Sequence, residues 1–428
     1  MKASIRIAVI FLTLSTVSYA QSQKSKIEIG VQATSLTLFG PGFPDFTGDV
    51  SELGVGGRVT YNFNKAIAAE AEVNFFPAKN SFFIGNGRSL QAQFGIKAGK
   101  RFEKFGVFAK VHPGFLTLDD VFSVQPGSTA TFEGITIPNA RIARETYFTT
   151  DIGGVLELYP TDRVLVRFDV GDTLVRYPSR LYFGATPNTF EIVRSSKIKN
   201  NFQFTAGVGF RLGTYGDSED APNTNKQKRY EVGAQFTSMS INQPRRACFL
   251  ECFIDSGDRN HTEPGFGGRF TYNLTRSLAV EAESNFFTRK LGHFTEPGGY
   301  MFQGQFGVKA GKRFQKWGLF GKARPGFVGF TQAFQLVGTH TQPFGNLTIT
   351  VGDFRVTKEL YPSMDVGGVV EFYVSRRWMT RMDFGDTIIR YGEYKVPGTS
   401  AVTNPIFTRG AETHHNFQLS AGIGMRFE

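Results

Sequence analysis

The sequence predicts an all-β chain of two tandem antiparallel up-and-down barrels with eight strands each; one sixteen-stranded barrel is the alternative. Three observations predict it. The chain reads nearly the same text twice: Gly56 to Leu212 returns as Gly267 to Phe427. Polar and apolar residues alternate with period two over stretches of about 11–15 residues, longer than the ~5–6 of ordinary soluble strands. Very short turns alternate with long connections rich in Pro, Gly, Asn and Ser.

The N-terminus comes first. Lys2 and Arg6 precede a short apolar run, Ile7 to Leu14, and Ser18-Tyr19-Ala20 sets small residues before a cut at Gln21. This is a cleaved secretory signal over residues 1–20. No Cys follows the cut, so a lipid anchor is not expected. The parts that follow are a first repeat over 21–213, a polar linker over 214–228 and a second repeat over 229–428. The linker, TYGDSEDAPNTNKQK, is far longer than the other turns on its side, which favours two closed barrels over one large one.

The first repeat resolves into strands near 26–38, 52–63, 66–76, 89–102, 105–118, 146–160, 163–177 and 199–212. In the third, Ile67, Ala69, Ala71, Val73 and Phe75 share one face, and Ala68, Glu70, Glu72 and Asn74 share the other. In the fourth, Ala92, Phe94, Ile96 and Ala98 oppose Gln91, Gln93, Lys97 and two glycines. In the eighth, Phe202, Phe204, Ala206, Val208 and Phe210 oppose Asn201, Gln203, Thr205 and Arg211. Strands two–three, four–five and six–seven meet in tight polar turns, and the remaining connections are long. Short turns at one end and long loops at the other describe a transmembrane β-barrel. Closure is required there, because an open sheet edge in lipid leaves backbone groups without hydrogen-bond partners.

The polar face carries both signs of charge. In the first repeat its acids are Glu28, Glu70, Glu72, Asp151, Glu157 and Asp169, and its bases are Arg58, Lys97, Arg101, Lys110, Arg167 and Arg211. The second repeat keeps Arg269, Glu281, Glu283, Lys309, Arg313, Lys322, Asp365, Glu371, Arg381, Asp383 and Arg426. A soluble barrel would place apolar residues inside and charges outside. Here the apolar face reads as the lipid side, and the charges read as interior ion pairs, since buried charge is tolerated when paired. The residues expected to matter most are Glu70, Glu72, Lys97 and Arg167, through pairing and plugging. Aromatics near the strand ends (Tyr61, Phe63, Phe75, Phe76, Phe102, Phe105, Tyr147, Phe148, Tyr159 and Tyr177) read as interfacial belts.

With these residues in place, the chain resembles the small outer-membrane β-barrel family, which includes the eight-stranded transmembrane domain of outer-membrane protein A. The resemblance covers nearly all of both repeats. It implies an integral protein of the outer membrane of a Gram-negative-type bacterium, with membrane lipid as its solvent. The final strand, Phe417 to Phe427, resembles the terminal signal read by the barrel-assembly machinery, although Glu428 rather than an aromatic comes last.

Other functions find little support. The formal charge is +11, but the bases are interleaved with acids and form no block, so nucleic acid is not an expected partner. The six His do not recur between repeats, and His112 becomes Arg324. No repeated Ser/His/Asp grouping exists, so neither an enzyme nor a cofactor is expected. The repeated R-x-D-x-G-D-T, with Arg167, Asp169, Gly171, Asp172 and Thr173, reads as interior pairing, with Asp172 placed to meet Arg176; a rim cation site is its other reading. Cys248 and Cys252, present in the second repeat alone, suit a disulfide closing a small loop in an exported chain. The functional expectation is a structural or surface-interaction barrel carrying long outer loops, with a porin for small solutes as the alternative. No loop motif names a ligand.

Overall fold

A computed structural model describes residues 26–39, 49–82, 85–132, 135–183, 190–194, 196–212, 228–242, 260–291, 298–344, 347–396 and 407–428. Residues 1–20, read from the sequence as a signal, residues 214–227 of the linker, and both cysteines lie outside the described residues. The chain divides into two compact units, Met1–Ala221 and Pro222–Glu428.

The first unit contains β1 (Ile27–Phe39), β2 (Asp49–Asn62), β3 (Ile67–Phe82), β4 (Gly85–Arg101), β5 (Phe105–Phe132), β6 (Ile135–Leu158), β7 (Val164–Tyr177), β8 (Arg180–Phe183), β9 (Phe190–Arg194), β10 (Lys197–Lys199) and β11 (Phe202–Leu212). Strands β1 to β7 pair in sequence order, β7 pairs with β11, and β11 pairs with β1 from Ile27↔Leu212 to Leu36↔Gln203. That closes an eight-stranded antiparallel barrel.

The second unit contains β12 (Tyr230–Asn242), β13 (Asn260–Asn273), β14 (Leu278–Leu291), β15 (Gly298–Arg313), β16 (Trp317–Phe344), β17 (Leu347–Tyr373), β18 (Trp378–Tyr391), β19 (Tyr394–Val396), β20 (Phe407–Arg409) and β21 (Glu412–Phe427). Strands β12 to β18 and β21 form the second closed barrel. Each repeat therefore closes on its own last strand, and a sixteen-stranded barrel is not formed. β10 and β11 pair with successive parts of β7, as one strand interrupted around Asn201; the matching β21 runs unbroken.

Period-two sequence becomes a sidedness that is inverted relative to a soluble protein. Along β3, Glu70, Glu72 and Asn74 are buried, whereas Ile67, Val73 and Phe75 are exposed. Phe94 and Ile96 on β4, and Phe306 and Val308 on β15, also face outward. Four of the six short turns are held by one side-chain oxygen each. Asn64 Oδ1 accepts the N–H groups of Ala66 and Ile67 at 2.7 and 2.9 Å, and Thr161, Thr275 and Ser375 hydroxyls occupy the same role.

Two expectations need correction. The connection between the fifth and sixth strands is not simply a loop. β5 and β6 stay paired out to Phe132↔Ile135, and β16 and β17 out to Phe344↔Leu347. Asp119, Pro126, Gly127 and Pro138 signal turns in sequence, but the ribbon absorbs them as irregularities. Asp120, Gly127 and Asn139 take left-handed φ values of 53°, 79° and 56° at or beside its register shifts. Pro138 is tolerated because it lies beyond the last β6–β7 pair, where β6 has a neighbour on one side.

The second correction concerns the aromatics. Tyr61, Phe63, Phe75, Phe102, Phe105 and Phe148 are exposed on the outer face, but Phe76, Tyr147, Tyr159 and Tyr177 are buried. Strand phase decides this: Phe76 follows Glu70, Glu72 and Asn74 in steps of two and points inward with them.

Candidate functional site in the barrel interior

The interior of each barrel is a filled stack of tiers. At the short-turn end of the first barrel, Glu28 receives Arg101 at 3.5 Å and Arg211 at 3.3 Å. Glu28 and Arg211 are direct cross-strand partners. Arg101 also meets Glu157 at 3.2 Å, and the Tyr159 hydroxyl donates to Glu157 at 2.7 Å. Lys97 lies in close contact with Glu157 and 3.1 Å from Glu70.

The central tier is organised by Arg167. Its guanidinium donates to both oxygens of Glu70, at 2.5 and 2.8 Å, and to both oxygens of Asp169, at 2.6 and 2.8 Å. Glu157 is its register partner on β6. Lys110 lies 2.6 Å from Asp151 and 3.2 Å from Asp169. Glu72 Oε2 accepts from Gln32 Nε2 at 3.4 Å, while Glu72 Oε1 has no hydrogen-bond partner among the described residues. Arg167 is 1% exposed and Lys97 0%, so these charges are satisfied by one another rather than by bulk water.

The second barrel repeats the arrangement. Arg381 spans Glu281 and Asp383, with Nη2 at 2.9 Å from each. Lys309 contacts Glu371 closely and lies 3.2 Å from Glu281. Arg313 meets Glu231 at 3.0 Å and Glu371 at 3.7 Å. Lys322 lies 2.8 Å from Asp365. Arg324 donates to Glu283 at 2.6 Å and to Asp365 at 2.9 and 2.5 Å. The charged residues that the sequence places on the inner face thus fall into two sets, one within each barrel.

Asp172 behaves differently from the expectation. Its Oδ1 accepts the backbone N–H of Asn201 at 2.9 Å instead of meeting Arg176, and Asp386 does the same for Asn416. It secures the start of the closing strand. Gly171 in the same motif makes room: a Cβ there would lie 2.3 Å from Asp151 Oδ1.

Sequence reasoning missed three parts of this interior. One is the pair of buried positions His112 and Arg324, set aside because histidines did not recur. Another is a neutral polar tier. Gln32 donates to Asn74 at 2.9 Å, Asn74 to Gln91 at 3.0 Å, Gln91 to Gln203 at 2.9 Å, and Thr173 to Gln203 at 2.7 Å. The third is an apolar plug toward the long-hairpin end, made by Leu36, Leu38, Phe76, Leu116, Tyr147, Val175 and Tyr177. The second barrel has its counterpart in Met239, Ile241, Phe287, Met301, Val328, Phe330, Ile389 and Tyr391. The available signal was phase: these residues continue the inward rows of the charged ones.

No family model and no curated protein matches the chain. Among solved structures, similarity extends to the N-terminal β-barrel domain of Pseudomonas aeruginosa OprF, at 11% identity and TM-score 0.25, covering 45% of this chain and all of that one. A P. aeruginosa FadL homologue is similar at 10% identity and TM-score 0.26, over 94% of this chain and 90% of that one. The siderophore receptor PirA of Acinetobacter baumannii is similar at 9% identity and TM-score 0.29, over 95% and 81%. Overlap this slight assigns no role.

Proposed function

We propose that this chain is an integral outer-membrane protein of the small-barrel kind, exported through a cleaved signal peptide. In this reading its two barrels are sealed anchors carrying long hairpins for a structural or surface-interaction role. The inverted sidedness supports membrane insertion. Val31, Val55, Phe94, Ile96, Phe210, Phe266 and Phe306 are exposed on the barrel walls, while Arg167, Arg324 and Arg381 are among the largest fully buried side chains. In water this exterior would be a very large apolar patch; in a bilayer it is the matched surface.

The single observation that carries the sealed reading is that each interior holds a fully buried, ion-paired centre backed by a fully buried apolar plug. An eight-stranded barrel is just wide enough for side chains to fill. The hairpins supply the second half of the proposal. β5 and β6 are 28 and 24 residues long, and β16 and β17 are 28 and 27, whereas a tilted strand needs only about 9–11 residues to cross a bilayer. The remainder stands outside the membrane as a paired ribbon.

The test is planar-bilayer recording on the refolded full chain, with heat-modifiable gel mobility as proof of folding. Folded protein that gives no steady conductance steps supports sealed anchors. Reproducible steps from folded protein would overturn the sealed reading and favour passage of small solutes.

A further inference from the structure

The two barrels differ at one central position, and the difference leaves an electrostatic gap in the first. In the second barrel Arg324 places its guanidinium between Glu283 and Asp365, with Glu281 at 3.6 Å and Asp383 at 3.7 Å. The corresponding acids of the first barrel are Glu72, Asp151, Glu70 and Asp169. Where Arg324 would stand is His112, the register partner of Asp151 as Arg324 is of Asp365. His112 is 0% exposed, and its Nδ1 has no hydrogen-bond partner among the described residues. Its Nε2 lies 3.3 Å from Glu70 Oε2. Glu72 Oε1 and Asp151 Oδ1 are also buried with no hydrogen-bond partner among the described residues. One ligand atom from each of Glu72, His112 and Asp151 lies within 4.8 Å of the others.

We propose that the first barrel binds a divalent transition cation, Zn²⁺ by its ligand chemistry, between Glu72, His112 and Asp151, where it fills the place taken in the second barrel by the Arg324 guanidinium. One imidazole nitrogen and two carboxylates form a donor set suited to zinc, with a water completing four-coordination. Zn–N and Zn–O distances of about 2.0–2.2 Å set tetrahedral ligands roughly 3.4 Å apart, so the three groups need close by no more than about 1.4 Å. Glu70 stands beside the imidazole as the carboxylate that orients a metal-bound histidine. Lys110, 2.6 Å from Asp151 Oδ2, does not preclude the site: Asp365 takes Lys322 at 2.8 Å and Arg324 together. The site is buried, so loading accompanies folding.

The experiment refolds the untagged full chain with Zn²⁺ or Co²⁺, removes free metal and measures bound metal per chain by mass spectrometry. The cobalt protein is also read by its visible absorption. The expected result is one ion per chain, with a nitrogen/oxygen-ligand spectrum. His112→Arg, which installs the residue the second barrel already accommodates, reduces this to none while heat-modifiable mobility is kept. Arg324→His raises it to two. A folded wild-type chain that retains no metal would overturn the proposal. Metal retained undiminished by folded His112→Arg would place the ion elsewhere and overturn it equally. If His112→Arg does not fold, Glu72→Gln in the same assay decides between the same outcomes.

Discussion

Arg381→Met is the sharpest perturbation of the interior. The guanidinium makes four charge-assisted contacts, two to Glu281 and two to Asp383. Each such bond is worth about 1.5–3 kcal/mol, but they are not lost independently. Lys309 remains 3.2 Å from Glu281, and Arg324 remains 3.7 Å from Asp383. Removing one partner of a buried ion cluster costs about 3–5 kcal/mol, because the acids stay behind uncompensated. That is the expected loss for the second barrel. The chain supplies its own reporter, since its two tryptophans, Trp317 and Trp378, both belong to that barrel. Urea unfolding in detergent, followed by tryptophan fluorescence, should show the full loss for Arg381→Met. The equivalent Arg167→Met should leave the fluorescence transition in place and shift only the β-sheet circular dichroism. Adding Glu281→Gln to Arg381→Met should recover part of the loss by removing an orphaned charge. A fluorescence shift under about 1 kcal/mol for Arg381→Met would refute the ion cluster as a buried, interdependent unit. An equal fluorescence shift from Arg167→Met would refute the independence of the two barrels.

Neighbouring residues of opposite strand phase give a second contrast. Phe76→Ala removes a ring from the buried plug and should cost about 3–5 kcal/mol, whereas Phe75→Ala on the outer wall should cost under about 1.5 kcal/mol; equal losses in urea titrations would sink the inward assignment of Phe76. The repeated glycine supplies a third. Gly171→Ala drives a Cβ to 2.3 Å from Asp151 Oδ1, while at Gly385 the nearest atom is Val366 O at 2.7 Å. The expected cost is about 1–3 kcal/mol, larger at Gly385, where a backbone oxygen cannot turn aside, than at Gly171, where a carboxylate end can, and the reverse order in thermal gel-shift midpoints would show that the Asp151 carboxylate is held fixed.

Much of the barrel wall is legible in the sequence because its strands obey one rule over many residues. Glu70, Glu72 and Asn74 declare their face against Ile67, Ala69, Ala71 and Val73 without any tertiary information. Legibility fails where the rule changes its meaning along a strand. The inward row of β3 runs from charged Glu70 to apolar Phe76, and residue type alone assigns Phe76 to the lipid. The long ribbons fail for a different reason. A two-stranded ribbon outside the barrel tolerates Pro138 and positive φ at Asp120, so turn-forming residues no longer mark an end. The centre was partly obscured by a comparison of identities. His112 and Arg324 differ as letters but share a register position opposite an aspartate, and register is a property of the paired strands.

The charged interior also has a role that stability alone does not require. Apolar residues of similar volume often fill a core as well as ion pairs do. What they do not supply is a penalty for error. Slipping any strand by one residue turns its whole inward row outward. For β3, under the proposed membrane insertion, that would place Glu70 and Glu72 against lipid, where a charge near the midplane costs a few kcal/mol, and would strip Arg167 and Lys97 of their partners at once. The same slip in a barrel lined with leucine would cost little, because lipid accepts leucine on either face. An all-aliphatic wall and interior would therefore specify closure without specifying register. Pairs such as Glu28↔Arg211, Glu157↔Arg167 and Glu371↔Arg381, each in direct cross-strand register, fix which residue meets which. On this argument both repeats keep the pairs because each barrel must find its own register against its own last strand.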